Sequence, residues 1–237
     1  MAADKKILAF DLYGTLLSTE SIAKELESHF PDKAQSISSL WRRYQLEYTW
    51  RLNSMGTYEP FSDITRNALN HALAEHDEFL SDDAIASLMK AYDNLSTFLD
   101  VKPTLSKLSE IPTVTAFVFS NGTQSMVSNS VQNSPDLSPH AAFFRDFVSV
   151  ESIKAYKPAR AVYDHLVAKT GKSSAQKGDI YLVSGNPFDV VGARSVGLNA
   201  IWVDRNGKGW TDAAAPKFRP TAIVKSLEDI VGVIQDA

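Results

Sequence analysis

Four short clusters of polar residues carry functional groups that could take part in one reaction. The clusters are Asp11 with Thr15, Ser120-Asn121-Gly122, Lys157-Pro158 and Ser184-Gly185-Asn186-Pro187-Phe188-Asp189. Together they supply two carboxylates, an ammonium group, hydroxyls and amides, which can serve as nucleophile, proton acceptor and hydrogen-bond donors. Any one cluster alone is typical of an ordinary turn, because Ser, Asn, Asp and Pro favour turns. Their meaning depends on whether the fold brings them together.

Short apolar runs precede the clusters and predict buried β-strands. These runs are Lys6–Phe10, Val114–Phe119, Phe147–Val150, Ile180–Val183 and Ala200–Val203. Helical patterns around 161–169 and after Pro187 lie between them. Alternating strands and helices predict a mostly parallel sheet that is covered on both faces. Because the carboxyl ends of parallel strands share one edge of a sheet, we expect the four clusters to converge on one crevice.

The segment between the first two predicted strands has a different pattern. From 18 to 99 the spacing is helical, with Leu40, Tyr44, Tyr48 and Leu52 on one face of a predicted helix, and no convincing strand interrupts it. The sequence therefore predicts an α/β fold, a doubly wound and mostly parallel sheet with an inserted helical domain. The predicted core domain comprises residues 1–17 and 100–237, and the predicted insert comprises residues 18–99.

The composition is that of a globular protein. Hydrophobic residues make up 44% of the 237 residues and charged residues 22%, and the net charge of −4 comes without any long Lys/Arg run, which argues against nucleic acid as a partner. No segment approaches the roughly 18 apolar residues of a membrane span, and the N-terminal segment lacks the apolar region of a signal peptide. The absence of cysteine excludes thiolate catalysis and Cys-ligated metal. We expect a cytoplasmic protein with a small-molecule substrate and no membrane partner, and a homodimer as the commonest assembly.

The polar clusters resemble the four motifs of the haloacid dehalogenase superfamily. The matching segments are Asp11-Leu12-Tyr13-Gly14-Thr15, Ser120-Asn121-Gly122, Tyr156-Lys157-Pro158 and Ser184-Gly185-Asn186-Pro187-Phe188-Asp189. Within the predicted insert, Leu40-Trp41-Arg42 and Gln45-Leu46-Glu47-Tyr48-Thr49-Trp50 resemble the cap of the L-2-haloacid dehalogenases. The resemblance spans almost the whole chain. It implies a Rossmann-like core with a helical cap domain, and hydrolysis of short-chain (S)-2-haloacids to (R)-2-hydroxyacids through an aspartyl ester, with inversion at C2.

Tyr13 supports the dehalogenase branch over the phosphatases. The superfamily's phosphatases place a second Asp at this position, where it protonates the departing alkoxide. Halide is a good leaving group that needs no proton. The fourth motif has Gly185 and Asn186 where phosphatases usually place an extra carboxylate for Mg²⁺, a cation that prefers oxygen ligands. We therefore expect no metal and no other cofactor.

The resemblance implies catalytic roles for six residues. Asp11 is the expected nucleophile, and Lys157 the cation that keeps it ionised. Asp189 is expected to orient or deprotonate the hydrolytic water, with Asn186 positioning it. Two hydroxyl groups complete the catalytic set, Thr15 as a hydrogen-bonding support for Asp11 and Ser184 as a further family position.

Eight further residues are expected to bind the small anionic haloacid. Ser120 and Asn121 would receive its carboxylate, and Arg42 of the cap would stabilise the leaving halide. Its neighbour Arg43 is expected to be exposed. Apolar groups would enclose the carbon chain, and the remaining expected contacts are Tyr13, Leu46, Phe61, Tyr163 and Phe188. Gly185 and Phe188 stand where the family often has Ser and Trp, which predicts an altered pocket size.

Two alternatives remain open at this stage. One is a phosphatase or phosphonatase of the same superfamily. The other is a non-catalytic protein of this fold that acts as a binding module. The latter is expected to have lost the nucleophile or the lysine, yet Asp11 and Lys157 are both present.

Overall fold

Six parallel strands form the sheet at the centre of the protein, in a computed structural model that describes residues 6–236. Residues 1–5 and 237, which belong to the predicted core domain, lie outside the described residues. The strands are β1 (Lys6–Phe10), β2 (Val114–Ser120), β3 (Phe144–Ser149), β4 (Ile180–Ser184), β5 (Asn199–Val203) and β6 (Ala222–Val224). Their order across the sheet is β3-β2-β1-β4-β5-β6, and every neighbouring pair is parallel. This is the doubly wound α/β fold expected from the sequence.

The central strands are apolar because the sheet is covered on both faces. All five residues of β4 are buried, as are four of the five in β1, so neither strand alternates between apolar and polar residues. After β1 the chain builds β2 and β3 on one side and then returns to the other side for β4. This change of direction leaves a crevice beyond the carboxyl end of β1, where open α/β sheets bind ligands. Asp11 directly follows β1 and therefore lies at that crevice.

Nine α-helices pack around the sheet or form the insert within residues 6–236. They are α1 (Ala23–Glu27), α2 (Ala34–Met55), α3 (Phe61–Glu75), α4 (Asp82–Tyr92), α5 (Val101–Ser109), α6 (Gln124–Gln132), α7 (Arg160–Thr170), α8 (Pro187–Ser195) and α9 (Ile230–Gln235). None of these helices is both long and apolar enough to cross a lipid bilayer.

Helices α1 to α4 form the inserted cap between β1 and β2. The long helix α2 ends at Gly56, whose φ of 64° places it in the left-handed conformation that terminates many helices. Its buried residue Trp41 donates a hydrogen bond from Nε1 to the backbone oxygen of Thr65 in α3, at 2.7 Å, which ties the two helices together. The strand β2 begins only at Val114, so no named strand interrupts 18–99 in the described chain. The domain boundaries at 17/18 and 99/100 stay a prediction.

Three local predictions differ from the structure. The predicted strand Phe147–Val150 begins three residues earlier, at Phe144, and ends at Ser149. The edge strand β6 was not predicted, because three residues are too few to show a periodic pattern. Helix α2 packs Leu40, Tyr48 and Leu52 only partly against the core, while its fully buried face includes the polar residue Gln45.

Candidate active site

Asp11 lies at the centre of the crevice, and its two carboxylate oxygens have different partners. Its side chain is almost fully buried, with 6% of the residue exposed. The Oδ2 atom accepts three hydrogen bonds, from Thr15 Oγ1 at 2.9 Å, Ser184 Oγ at 3.1 Å and Asn186 Nδ2 at 2.6 Å. The Oδ1 atom accepts one, from Lys157 Nζ at 3.1 Å. Oδ2 is thus saturated with donors, whereas Oδ1 keeps a lone pair for a reaction partner.

Lys157 links the two carboxylates of the site. Its Nζ atom donates to Asp11 Oδ1, to Asp189 Oδ2 at 2.7 Å and to the backbone oxygen of Phe119 at 2.8 Å. Only 1% of the residue is exposed. A buried ammonium group needs such partners, because an unpaired charge in the interior is strongly unfavourable. Its backbone N–H donates to Asn121 Oδ1 at 2.9 Å, which couples the second and third sequence clusters.

Asp189 is a fully buried carboxylate in the first turn of α8. Burial raises its pKa to about 6, the positive charge of Lys157 opposes this rise, and the nearby negative charge of Asp11 adds to it. The Oδ1 atom accepts a hydrogen bond from the Tyr163 hydroxyl at 2.8 Å. Gly192 makes room for that hydroxyl, because a Cβ atom at position 192 would overlap it. A carboxylate with a pKa near 6 can accept a proton at neutral pH.

The loop after β4 connects Asp11 to its surroundings. Gly185 N donates to Thr15 Oγ1 at 2.9 Å, and Asn186 Nδ2 donates to the backbone oxygen of Tyr13 at 2.9 Å. A Cβ atom at Gly185 would lie 2.5 Å from the backbone oxygen of Gly14, which is too close for any side chain. Here Gly185 therefore permits a tight contact between two loops, in addition to any effect on pocket size.

Arg42 reaches the crevice from helix α2, whereas Arg43 points away. Arg42 Nη2 lies 3.4 Å from the backbone oxygen of Tyr13, which places the guanidinium group beside the loop that follows β1. Its Nη1 atom donates to Gln45 Oε1 at 2.6 Å. Arg43 is exposed and donates to the hydroxyl of Tyr44 at 3.2 Å. The structure thus brings one of the two neighbouring arginines to the core.

Nine of the residues expected from the sequence line one small cavity. They are Asp11, Tyr13, Arg42, Leu46, Phe61, Asn121, Lys157, Asn186 and Phe188. The space inside is about 10 Å³, roughly the room that one water molecule needs. The cap and the core are therefore closed on each other in this conformation.

The other five expected residues do not line the cavity but lie behind its wall. Thr15 and Ser184 hydrogen-bond to Asp11, and Tyr163 contacts Asp189, whose carboxylate is bound to Lys157. Ser120 is fully buried, and its Oγ atom accepts a hydrogen bond from Gly122 N at 3.1 Å. The contacts of Tyr163 indicate a role through Asp189 rather than direct contact with a substrate.

Several residues that support the site were not predicted. Gln45 is fully buried and accepts hydrogen bonds from Arg42 and from the Tyr92 hydroxyl, the latter at 3.0 Å. Its position three residues after Arg42 on one helix is a signal that could have shown this contact. Arg205 pairs with both carboxylate oxygens of Asp100, at 3.0 and 2.9 Å, and donates to the backbone oxygen of Thr15 at 2.8 Å. No local pattern links residues so far apart in the chain.

The carboxylates of the site are poorly arranged for a divalent metal ion. Within residues 6–236, no three His, Cys, Asp or Glu side chains come together as ligands. The ammonium group of Lys157 lies between Asp11 and Asp189, so positive charge is already present where a cation would bind.

Known proteins of one hydrolase family are similar to this chain in sequence. A family model described as haloacid dehalogenase-like hydrolase matches residues 5–197. Haloacetate dehalogenase H-2 from Moraxella sp. (strain B) is 34% identical, covering 97% of this chain and 100% of that protein. The (S)-2-haloacid dehalogenase H-109 of Pseudomonas putida is 32% identical, covering 94% of this chain and 95% of that protein.

A solved structure shows the same similarity. L-2-haloacid dehalogenase from Xanthobacter autotrophicus, with chloropropionic acid covalently bound, superimposes with a TM-score of 0.86 at 25% identity and covers 98% of both chains. The family match covers most of the chain, and the relatives are similar over nearly their full length. The chain therefore belongs to the haloacid dehalogenase-like hydrolases and, within them, to the family of the (S)-2-haloacid dehalogenases.

Proposed function

We propose that the protein hydrolyses short-chain (S)-2-haloacids to (R)-2-hydroxyacids, with Asp11 as nucleophile. The observation that carries this proposal is the unequal bonding of the two Asp11 oxygens. Oδ2 accepts three hydrogen bonds and Oδ1 accepts one, so Oδ1 is the oxygen with a lone pair available for attack.

In the first step Oδ1 attacks C2 of the haloacid from the side opposite the halogen. The new C–O bond forms as the carbon–halogen bond breaks, and the halogen leaves with the electron pair as halide. Configuration at C2 inverts, and Asp11 becomes an ester. The leaving halide needs no proton, which fits a tyrosine at position 13. The covalently bound chloropropionic acid in the Xanthobacter autotrophicus relative supports such an intermediate.

In the second step water attacks the carbonyl carbon of the ester. Asp189 accepts a proton from the water, and the developing negative charge falls on Oδ2. The three donors that already point at this oxygen, Thr15, Ser184 and Asn186, then act as an oxyanion hole. When the bond between Cγ of Asp11 and Oδ1 breaks, Oδ1 leaves with the product and takes up the proton that Asp189 accepted, and the remaining proton of the water is released to solvent. Asp11 regains its carboxylate with an oxygen from water.

The cavity lining supports the proposed substrate contacts. Arg42 supplies a fixed positive charge that can stabilise the departing halide. Asn121 lines the same cavity and is proposed to receive the substrate carboxylate. Ser120, which is fully buried behind the wall in this closed conformation, is proposed to join it when the cavity opens to admit substrate. Apolar side chains form much of the remaining wall, which excludes water and strengthens the charge interactions inside. These are Tyr13, Leu46, Phe61 and Phe188.

The proposal is tested by measuring halide release from the two enantiomers of 2-chloropropionate, followed by chiral chromatography of the product. We expect chloride release from the S enantiomer only, with (R)-lactate as product. Release from the R enantiomer, or a product of retained configuration, would contradict the proposed mechanism.

The phosphatase alternative is less well supported by the site. A phosphatase of this superfamily needs a second acidic residue near the nucleophile, and here the position two residues after Asp11 is occupied by Tyr13. Turnover of p-nitrophenyl phosphate with Mg²⁺, in the absence of halide release from any haloacid, would favour that alternative. A protein that catalyses neither reaction would favour the non-catalytic one.

A further inference from the structure

The closed cavity is too small for a haloacid, so its wall limits the size of the substrate. With room for about one water molecule, the cavity accepts a substrate only if part of its wall moves. Five of the nine lining residues are held by side-chain hydrogen bonds, namely Asp11, Arg42, Asn121, Lys157 and Asn186. The aromatic ring of Phe188 belongs to the apolar part of the wall and is half-buried.

Phe188 separates the cavity from a second depression on its outer side. This outer depression is lined by Trp50, Asn53, Ser54, Pro158, Ala159 and Phe188, and its volume is about 430 Å³. Phe188 is therefore the one side chain common to both linings. If its ring turned outward, the two spaces would join.

Trp50 packs against Phe188. Their rings meet edge to face, with centroids 5.6 Å apart and planes at 73°. Trp50 is 41% exposed and is absent from the lining of the reaction cavity. The aromatic contact of this indole is with Phe188, so support of that ring is its clearest structural role.

We propose that Trp50 sets the upper limit on the length of the substrate's carbon chain by holding Phe188 inward. This inference rests on the proposed function. With Trp50 in place, the ring of Phe188 closes the cavity on the side of the outer depression, and we place the C2 substituent of the substrate against that ring. Without it, Phe188 can rotate into the outer depression, and a longer alkyl chain can follow into an apolar space. Trp50 is thus a specificity-determining residue that acts through Phe188.

The test compares two substrates with the same leaving group, (S)-2-bromopropionate and (S)-2-bromohexanoate. The quantity measured is the ratio of kcat/KM for the longer substrate to that for the shorter one. For Trp50→Ala we expect this ratio to rise by about tenfold, since a few methylene groups in an apolar pocket discriminate by at least this factor. Trp50→Phe, which keeps a ring edge against Phe188, should retain most of the wild-type ratio.

Two further variants separate this effect from a general loosening of the helix. Met55 lies on the same helix α2, is 64% exposed and lines a different groove, so Met55→Ala should leave the ratio unchanged. Ala159→Phe would fill the outer depression, and adding it to Trp50→Ala should restore the wild-type ratio. Should Trp50→Ala fail to fold, Trp50→Leu takes its place with the same expected rise.

The outcomes separate the inference from the proposed function. If the wild-type protein releases no bromide from either substrate, the proposed function is wrong and the inference falls with it. If the wild type is active on bromopropionate but the folded Trp50→Ala or Trp50→Leu variant keeps its ratio, the inference alone is overturned. A ratio that rises equally in Met55→Ala would also overturn it.

Discussion

The two carboxylates of the site have different surroundings, which fit the different tasks that we propose for them. Asp11 accepts hydrogen bonds from three neutral donors and from one ammonium group. Asp189 is fully buried, bonded to Lys157 and Tyr163, and has its pKa raised by burial to about 6. The first is suited to attack carbon, and the second to hold and release a proton near neutral pH.

Replacing Asp189, the carboxylate whose pKa is raised, should lower activity without lowering stability. We expect Asp189→Asn to lower kcat by roughly 100-fold or more, because general bases contribute about 10²–10⁴-fold. In the wild type, ester hydrolysis should slow as the pH falls below about 6, where Asp189 takes up a proton. The variant should lack this acid limb. Halide and product release across the pH range measure both effects, and a wild-type rate in the variant would remove Asp189 from the mechanism.

The raised pKa of Asp189 also predicts how this residue affects the stability of the fold at different pH values. Because the folded-state pKa is raised from 3.8 to about 6, the contribution of Asp189 to stability is complete below 3.8 and is lost as the pH rises through 6. At neutral pH its charged form therefore disfavours the folded state. Thermal unfolding of Asp189→Asn at neutral pH should show a Tm no lower than that of the wild type. A marked loss of Tm would show that the Lys157 ion pair outweighs the unfavourable burial.

Arg42 and Arg43 form a matched pair of neighbours for testing the halide site. Arg42→Lys should lower the rate of halide release. Lysine keeps the charge but lacks the planar guanidinium group, whose several N–H donors act on the leaving group. Arg43→Lys, at an exposed position, should behave almost like the wild type. Single-turnover halide release measures the chemical step, and thermal unfolding controls for stability. If Arg43→Lys is the impaired variant, the assignment of the two arginines is reversed.

At the scale of elements, the tight contact between the loops after β1 and β4 positions Asp11, the proposed nucleophile. We expect Gly185→Ala to displace one loop, since its Cβ would lie 2.5 Å from the backbone oxygen of Gly14. The expected loss of stability is about 1–3 kcal/mol, as for other overpacked sites. The hydrogen bond from Gly185 to Thr15 should weaken as well, which should lower kcat.

Gly178→Ala is the matched control, because a Cβ there meets nothing within 4 Å. Thermal unfolding and steady-state kinetics of both variants are the measurements. If Gly185→Ala is as stable and active as Gly178→Ala, the loop contact has no role in positioning Asp11.

The sequence predicted the strands better than the supporting contacts, for physical reasons. Strands of a parallel sheet buried on both faces are apolar runs, so β1, β2, β4 and β5 were predicted within about a residue at each end. The three-residue strand β6 has no such run. Buried polar residues such as Gln45 and Thr49 break the apolar pattern of α2, although they lie on its most buried face. Their burial depends on partners that only the fold brings near.

The residues of the site were predictable where a motif fixed them close to a strand end. The nine predicted residues that line the cavity come from six separate segments of the chain, and the parallel sheet and the cap bring these together. Arg205 and Asp100 were missed because their pairing joins residues 105 positions apart. Nothing in either local sequence distinguishes them from ordinary surface charges.

At the scale of the whole molecule, the fold brings together positive and negative charges from distant segments of the chain. Lys157 and Arg42 supply the positive charge near Asp11 and Asp189. We therefore expect halide release to survive exhaustive treatment with EDTA. Added Mg²⁺ should leave the rate of the treated protein unchanged. A large loss of activity that Mg²⁺ restores would place the protein with the metal-dependent members of its superfamily.

The closure of the cap over the core makes every turnover depend on the groups that line one small cavity. In the proposed mechanism one of those groups, Asp11, becomes covalently attached to the substrate and gives up an oxygen to the product. A reaction by direct attack of water would use the same cavity and release the same halide. Steady-state rates alone therefore do not distinguish the two mechanisms.

A single turnover in water enriched in oxygen-18, with enzyme in excess over (S)-2-chloropropionate, distinguishes them directly. We expect the lactate of this first turnover to carry ordinary oxygen from Asp11 Oδ1. The heavy isotope should appear in the peptide that contains Asp11 and in no other. Mass spectrometry of the lactate and of the digested protein measures both. Heavy oxygen in the first lactate, with an unlabelled Asp11 peptide, would contradict the covalent mechanism.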